Sequence, residues 1–156
     1  METKLAGAPI AAYRRPSWVM LHLVDPLTRL LVGRLGMDDH NGTRVLEIKG
    51  RKSGLWRATP VRVLELEGQR YLVAMSGETH WVRNLRAQGV GRLRLGGQVV
   101  NFRATELDDG QKLPVLRGYF RRWWSLVAPM TTVTSPDAPD EVFAKAASLH
   151  PVFVLK

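Results

Sequence analysis

The chain has 156 residues, of which 45% are hydrophobic, so it is long and apolar enough to form one domain with its own core. It contains no cysteine, which excludes disulfides, thiolate nucleophiles and cysteine-ligated zinc and fits a cytoplasmic protein. Its 23 Lys and Arg against 14 Asp and Glu give a net charge of +9. That balance points to an anionic partner: a nucleic acid, an acidic membrane surface or a polyanionic ligand.

The first 35 residues predict a helical segment and no export signal. The run "METKLAGAPIAAYRRP" lacks a continuous apolar stretch, and charged residues interrupt the following one too often for a membrane span. Leucines at helical spacing predict a helix over 17–35, with Asp25 as a cap and Pro26 at a first helical position. Two interpretations stay open: a helix packed on the core, or one lying on a membrane surface with Trp18 at the boundary.

From residue 43 the pattern becomes that of strands. Alternating apolar and polar residues predict strands over 43–49, 57–68, 70–75, both arms of a hairpin within 92–107, and a closing strand over 151–156. Tight turns are expected at Gly68-Gln69 and at Gly96-Gly97.

Three helical patterns accompany these strands. One covers 79–89, with Thr79 as N-cap and Gly89 as its end; one begins near Pro114; and one covers about 139–149. We therefore predict an α+β domain over 1–156, with about six mostly antiparallel strands closed into a small barrel. Its parts are the helical segment 1–35, the barrel core 43–107, a helical segment 108–149 and the closing strand 151–156.

The stretch "GRKSG" (50–54) is the strongest candidate for a binding site. Gly50 and Gly54 permit positive φ, and successive N–H groups in such a turn form a nest for anions. Arg51 and Lys52 add positive charge, and Ser53 adds a hydroxyl. The spacing is not that of a Walker loop. A phosphate cradle and a solvated turn with surface cations are both compatible with these residues.

The run "IKGRKSGLWRATPV…YLVAMSG…HWVRNLRAQG" resembles the deazaflavin-dependent nitroreductase family. These are actinobacterial split-barrel proteins that use coenzyme F-420. The resemblance covers roughly 40–107 and the closing "HPVFVLK". It implies a split β-barrel oxidoreductase that passes a hydride from the reduced coenzyme to a hydrophobic, electron-poor acceptor such as a quinone, a nitroaromatic or an enone.

The resemblance also implies residue roles. Arg51, Lys52 and Ser53 would hold the phosphate of the coenzyme, and Arg57 would add a cation. The ring and its side chain would lie along Ala58, Thr59, Pro60, Ala74, Met75, Ser76 and Gly77, and Trp81 and Asn84 would complete the phosphate side. Arg62 stands where nitroreducing members often have a tyrosine, which makes it a candidate acceptor contact.

The stretch "YFRRWW" (119–124) is the other unusual feature. Tyr119 and Trp123 lie four residues apart and share a helix face. They are either a core-packing pair or, with Trp124, a lid that stacks on a flat acceptor. A stacking platform for nucleic acid is a weaker alternative, because no RNA-binding motif accompanies it.

Other functions remain open at this stage. The four histidines are scattered, so no metal site is expected. FMN in place of coenzyme F-420, and a non-catalytic basic module that binds lipid or a membrane surface, are the two alternatives. A barrel this small often pairs with a second copy, so a homodimer is a further expectation. The protein is expected in the cytoplasm, with peripheral membrane contact through its N-terminal helix.

Overall fold

The structure is a computed structural model that describes residues 42–156. The predicted helix over 17–35 and the rest of the segment 1–35 lie outside the described residues. Within 42–156, the strands are β1 (Thr43–Lys49), β2 (Trp56–Leu66), β3 (Gln69–Val73), β4 (Val90–Leu95), β5 (Gln98–Glu106) and β6 (Val152–Leu155). The helices of the same region are α1 (His80–Gln88), α2 (Leu113–Val127) and α3 (Asp140–Ala147).

The six strands form a closed barrel in the order β1-β2-β3-β6-β5-β4. All neighbouring pairs are antiparallel. Closure removes the unpaired edges that an open six-stranded sheet would expose. The predicted α+β barrel with flanking helices is therefore confirmed.

The first hairpin turns one residue earlier than predicted. Leu66 pairs with Gln69, so the two central residues are Glu67 and Gly68, not Gly68 and Gln69. Both have positive φ, 51° and 75°, as a two-residue turn of type I′ requires. Glutamate adopts this conformation at a cost, and its presence hid the turn position from the sequence pattern. The second predicted turn, Gly96-Gly97, is confirmed by the pairing of Leu95 with Gln98.

Two apolar clusters organise the described region. The first fills the barrel, where alternate residues of the strands point inward, and Val82 and Leu85 of α1 join it, so α1 covers one end of the barrel. The second lies between the outer face of the barrel and helices α2 and α3, with Phe120 and Phe143 at its centre. The arrangement leaves the loop between β1 and β2 beside the start of α1.

Candidate functional site

The loop between β1 and β2 is closed by its own backbone. The N–H of Gly50 donates to the carbonyl of Leu55 at 2.8 Å, and the N–H of Gly54 donates to the carbonyl of Gly50 at 2.8 Å. Gly54 has φ of +66°, and a Cβ at Gly50 would lie 2.7 Å from the Ser53 hydroxyl oxygen, so both glycines are required by the turn. The N–H groups of Lys52 and Ser53 have no hydrogen-bond partner among residues 42–156. They are available to an anion.

Asn84 on α1 anchors this loop. Its Oδ1 accepts hydrogen bonds from the backbone N–H of Arg51 at 3.2 Å and from Arg51 Nη1 at 2.9 Å. Asn84 is only 7% exposed, whereas Arg51 is exposed. A buried amide therefore fixes both the backbone and the guanidinium of Arg51 against the helix.

The first turn of α1 faces the same space. Thr79 caps the helix: its hydroxyl oxygen accepts from the N–H of Val82 at 3.4 Å. His80 and Trp81 follow, and no acidic residue lies in this turn. The positive end of the helix dipole thus adds to the charges of the loop.

Loop, strand and helix enclose a cavity of about 1010 Å³. Its lining residues are Leu46, Ile48, Gly50, Arg51, Lys52, Ser53, Trp56, Arg57, Ala58, Thr59, Pro60, Ser76, Thr79, His80, Trp81 and Asn84. Within residues 42–156, the lining includes three Arg or Lys side chains and no carboxylate. The volume suits a large cofactor with a second small molecule beside it.

Two tryptophans form aromatic walls of the cavity. Trp56 is 46% exposed and lies under the guanidinium of Arg92, 4.0 Å from the ring centroid. Arg92 is in turn paired with Glu47. Trp81 packs against Phe153 of the barrel interior, with ring centroids 6.0 Å apart. Both rings are thereby held in place by their neighbours.

Most predicted cofactor contacts lie together in this cavity. Its lining contains Arg51, Lys52, Ser53, Arg57, Ala58, Thr59, Pro60, Ser76, Trp81 and Asn84. Ala74 and Met75 do not line it: they are 2% and 9% exposed and belong to the two apolar clusters. Gly77 lies in the turn that follows, with φ of +69°, where its N–H donates to the carbonyl of Ala74.

The predicted acceptor contacts lie elsewhere. Tyr119 and Trp123 are 4% and 3% exposed and pack against each other with ring centroids 4.6 Å apart, which favours the core-packing interpretation. Burial raises the pKa of Tyr119 to about 12, and the charge of Arg62 opposes that rise. Trp124 is half-buried against the same cluster. None of these four residues is in the cavity lining.

Sequence reasoning missed several lining residues. Leu46 and Ile48 were predicted only as strand residues, and strand pairing places them opposite Thr59 and Arg57 at the cavity floor. Trp56 carried a signal that could have been used, because a tryptophan directly after a cationic loop is unusual for a solvated turn. Residues 42–156 contain no helix long and apolar enough to span a bilayer. In the same range, no three His, Asp or Glu side chains gather as metal ligands.

The model of the F420H(2)-dependent quinone reductase family matches residues 22–139. No curated protein matches the sequence at a significant level.

Solved structures share the barrel. One described as an F420-H2 dependent reductase (FDR-A) is 20% identical, with a TM-score of 0.51, covering 74% of this chain and 94% of its own. Another, described as a domain-swapped dimer, is 19% identical, with a TM-score of 0.53, covering 84% and 94%. The heme storage protein HutZ from Vibrio cholerae is 11% identical, with a TM-score of 0.53, covering 75% and 82%. At these identities the likeness shows the fold alone.

The family match spans well over half of the chain and includes the loop, β2 and α1 that build the cavity. The chain therefore belongs to the F420H(2)-dependent quinone reductase family and is an oxidoreductase that uses coenzyme F-420.

Proposed function

We propose that the cavity between the β1–β2 loop, β2 and α1 holds the coenzyme and brings it against a hydrophobic, electron-poor acceptor of the quinone type. Nitroaromatics and enones belong to the same acceptor class. One observation on the described part of the chain carries this proposal: a cationic loop, with two N–H groups that no described residue pairs, opens onto a cavity whose described lining has aromatic walls and no carboxylate.

The loop suits the phosphate of the coenzyme. The N–H groups of Lys52 and Ser53 supply directed donors, and the side chains of Lys52 and Arg57 supply charge. Arg51 is held by Asn84, so its guanidinium is oriented before the ligand arrives. Asn84 acts here by positioning Arg51.

The free edge of β2 suits the ring. β1 pairs with β2 from Trp56 to Arg62, but β3 pairs with β2 only from Val63 onward. Along Ala58, Thr59 and Pro60, the second edge of β2 therefore has no strand partner among the described residues. Backbone groups of an antiparallel strand point to alternate edges, so the N–H of Ala58 and the carbonyls of Ala58 and Pro60 point to this edge and can contact the polar edge of a flat ring.

No side chain is assigned as a chemical catalyst. When bound, the reduced coenzyme supplies the hydride, and water supplies the proton that completes reduction of the acceptor. The residues of the chain bind, align and shield. Leu46, Ile48, Trp56 and Trp81 give the cavity apolar surface, which keeps water from between two flat molecules and favours their face-to-face stacking.

Acceptor selection by Arg62, Tyr119, Trp123 and Trp124 has less support than the coenzyme contacts. Tyr119 and Trp123 are buried in the cluster under α2 and cannot stack on a ligand without rearrangement. Trp56 and Trp81 line the cavity and are better placed for that role.

We also propose that the protein forms a homodimer and that it is cytoplasmic. Light scattering on the purified chain measures its oligomeric state. The predicted membrane contact through the N-terminal helix concerns residues outside the described region.

The proposed reaction is tested by mixing the protein with reduced coenzyme F-420 and a short-chain quinone. We expect quinone-dependent reoxidation of the coenzyme, which is followed by the return of its visible absorbance. A nitroaromatic and an enone in parallel reactions rank the acceptor classes. Tight coenzyme binding without reoxidation by any of the three acceptors would contradict the proposed reaction.

A further inference from the structure

Exposed apolar side chains line the rim of the barrel end that carries the cavity. Leu55, Trp56 and Val90 are 64%, 46% and 47% exposed. Trp56 is paired with Lys49 across β1 and β2. β1 pairs with β4 up to Glu47 opposite Arg92, and each strand has two more residues beyond that pair, so we infer that Lys49 at the end of β1 lies near Val90 at the start of β4. Leu55, Trp56, Lys49 and Val90 thus form one continuous strip, which we call the rim.

The loop tip next to the rim projects away from the other residues of 42–156. A Cβ at Gly54 would meet no atom of the described residues within 4 Å. Leu55 follows directly and is the most exposed of the large hydrophobic residues in the described region. A single exposed leucine is common on protein surfaces, but Leu55 lies together with exposed Trp56 and Val90, and such a contiguous apolar patch indicates an interaction site.

The rim and the β1–β2 loop beside it are strongly basic. Residues 49–57 contain Lys49, Arg51, Lys52 and Arg57 and no Asp or Glu. The nearest acidic residue along the strands, Glu47, is neutralised by Arg92 and Arg94. Trp56 lies between Arg92 at 4.0 Å and Lys49 Nζ at 5.6 Å from its ring centroid, so an interfacial aromatic ring is framed by cations.

We propose that the rim docks onto an anionic lipid bilayer. Aliphatic Leu55 and Val90 enter the headgroup region, Trp56 sits at the interface, and Lys49, which does not line the cavity, contacts lipid phosphates. Nucleic acid fits less well, because the aliphatic side chains of leucine and valine make no hydrogen bond or ion pair with phosphates and do not stack on bases. The docking rests on the rim alone.

Its functional consequence rests on the proposed reaction. Because Trp56 and Arg57 also line the cavity, docking turns the cavity mouth toward the bilayer. A lipid-dissolved quinone then reaches the coenzyme without crossing water.

The test is co-sedimentation of the full-length protein with vesicles of phosphatidylcholine containing phosphatidylglycerol, without coenzyme or acceptor. We expect binding to these vesicles and little to pure phosphatidylcholine. Leu55→Ser should weaken binding about tenfold, and Lys49→Ala about fivefold. Leu55→Ser with Val90→Ser should abolish detectable binding.

Val99→Ser and Lys145→Ala are the matched controls. Val99 is 43% exposed near the β4–β5 turn at the opposite end of the barrel, and Lys145 is exposed on α3. Both should leave vesicle binding unchanged. Vesicle binding that is insensitive to Leu55→Ser and Val90→Ser, or equally sensitive to Val99→Ser, would overturn the proposal.

A separate activity assay distinguishes the two proposals. Leu55 and Val90 do not line the cavity, so Leu55→Ser with Val90→Ser should keep full activity toward a water-soluble quinone. The same variant should lose activity toward a long-chain quinone embedded in vesicles. If the double variant no longer binds vesicles but still reduces the water-soluble quinone, the rim is needed for docking and not for the reaction. If the unmodified protein does not reduce the water-soluble quinone, the proposed reaction is contradicted and the docking proposal is not.

Discussion

Replacing Asn84 tests the anchoring of the cationic loop. In Asn84→Ala, Arg51 loses two hydrogen bonds, one from its backbone N–H and one from its guanidinium. Such bonds contribute about 1 kcal/mol for a neutral donor and about 1.5–3 kcal/mol for a charged one. Water partly replaces the partner of exposed Arg51, so we expect the free energy of unfolding to fall by about 2 kcal/mol. Coenzyme affinity should fall about tenfold, because the loop is no longer fixed before binding.

Asn84→Asp separates anchoring from charge. A carboxylate of the same shape still accepts both hydrogen bonds from Arg51, so stability should be retained. It also places a negative charge beside the proposed phosphate. At a separation of about 6 Å and an effective dielectric constant of about 20, the repulsion is roughly 3 kcal/mol, which Arg51 and water reduce to about 1–2 kcal/mol. Coenzyme affinity should therefore fall about 5- to 30-fold.

Urea unfolding measures the stability of both variants, and titration of coenzyme fluorescence measures their affinities. The expected pattern is that Asn84→Ala loses stability and affinity, whereas Asn84→Asp loses affinity alone. Unchanged coenzyme affinity in a folded Asn84→Asp protein would refute the placement of the phosphate at this loop.

Three further predictions concern stability. Burial lowers the pKa of His150, with the charge of Lys112 acting in the same direction, so the folded state resists protonation. The free energy of unfolding should therefore fall as the pH drops below about 6.5, and His150→Gln should flatten this slope in urea titrations at several pH values. Trp123→Ala should lower the free energy of unfolding by about 3–5 kcal/mol, since the ring is 3% exposed; a folded variant of normal stability with altered acceptor kinetics would favour the lid. Residue 67 has φ of 51°, which asparagine adopts more readily than glutamate, so Glu67→Asn should raise the free energy of unfolding by about 0.5 kcal/mol and raise the melting temperature. A lower melting temperature would contradict the strain at this turn.

The strands and α1 could be predicted because their signals are local. β1 coincides with the predicted 43–49, and α1 has the predicted cap at Thr79 and end at Gly89. The turn at Glu67-Gly68 was misplaced by one residue because glutamate rarely has positive φ, so the pattern favoured the glycine as the first turn residue.

The candidate site was predictable only in part. The loop 50–54 carries its own signal in charge and glycine spacing, but the hydrogen bonds between Asn84 and Arg51 depend on how α1 packs on the barrel. For the aromatic residues of 119–124, the sequence shows the helical spacing but not which face of the helix is buried. Tertiary packing decides which side of α2 meets the barrel, and that side buries Tyr119 and Trp123.

The central claim is that the loop 50–54 holds the phosphate of coenzyme F-420. The most direct measurement is a fluorescence titration of the coenzyme with the unmodified protein, with Arg51→Ala/Lys52→Ala, and with the charge-matched control Arg121→Ala/Lys145→Ala. Arg121 and Lys145 are exposed on α2 and α3 and do not line the cavity. We predict an affinity at least tenfold weaker for the loop variant and within about twofold of the unmodified protein for the control. Equal affinities for the two variants would contradict the account.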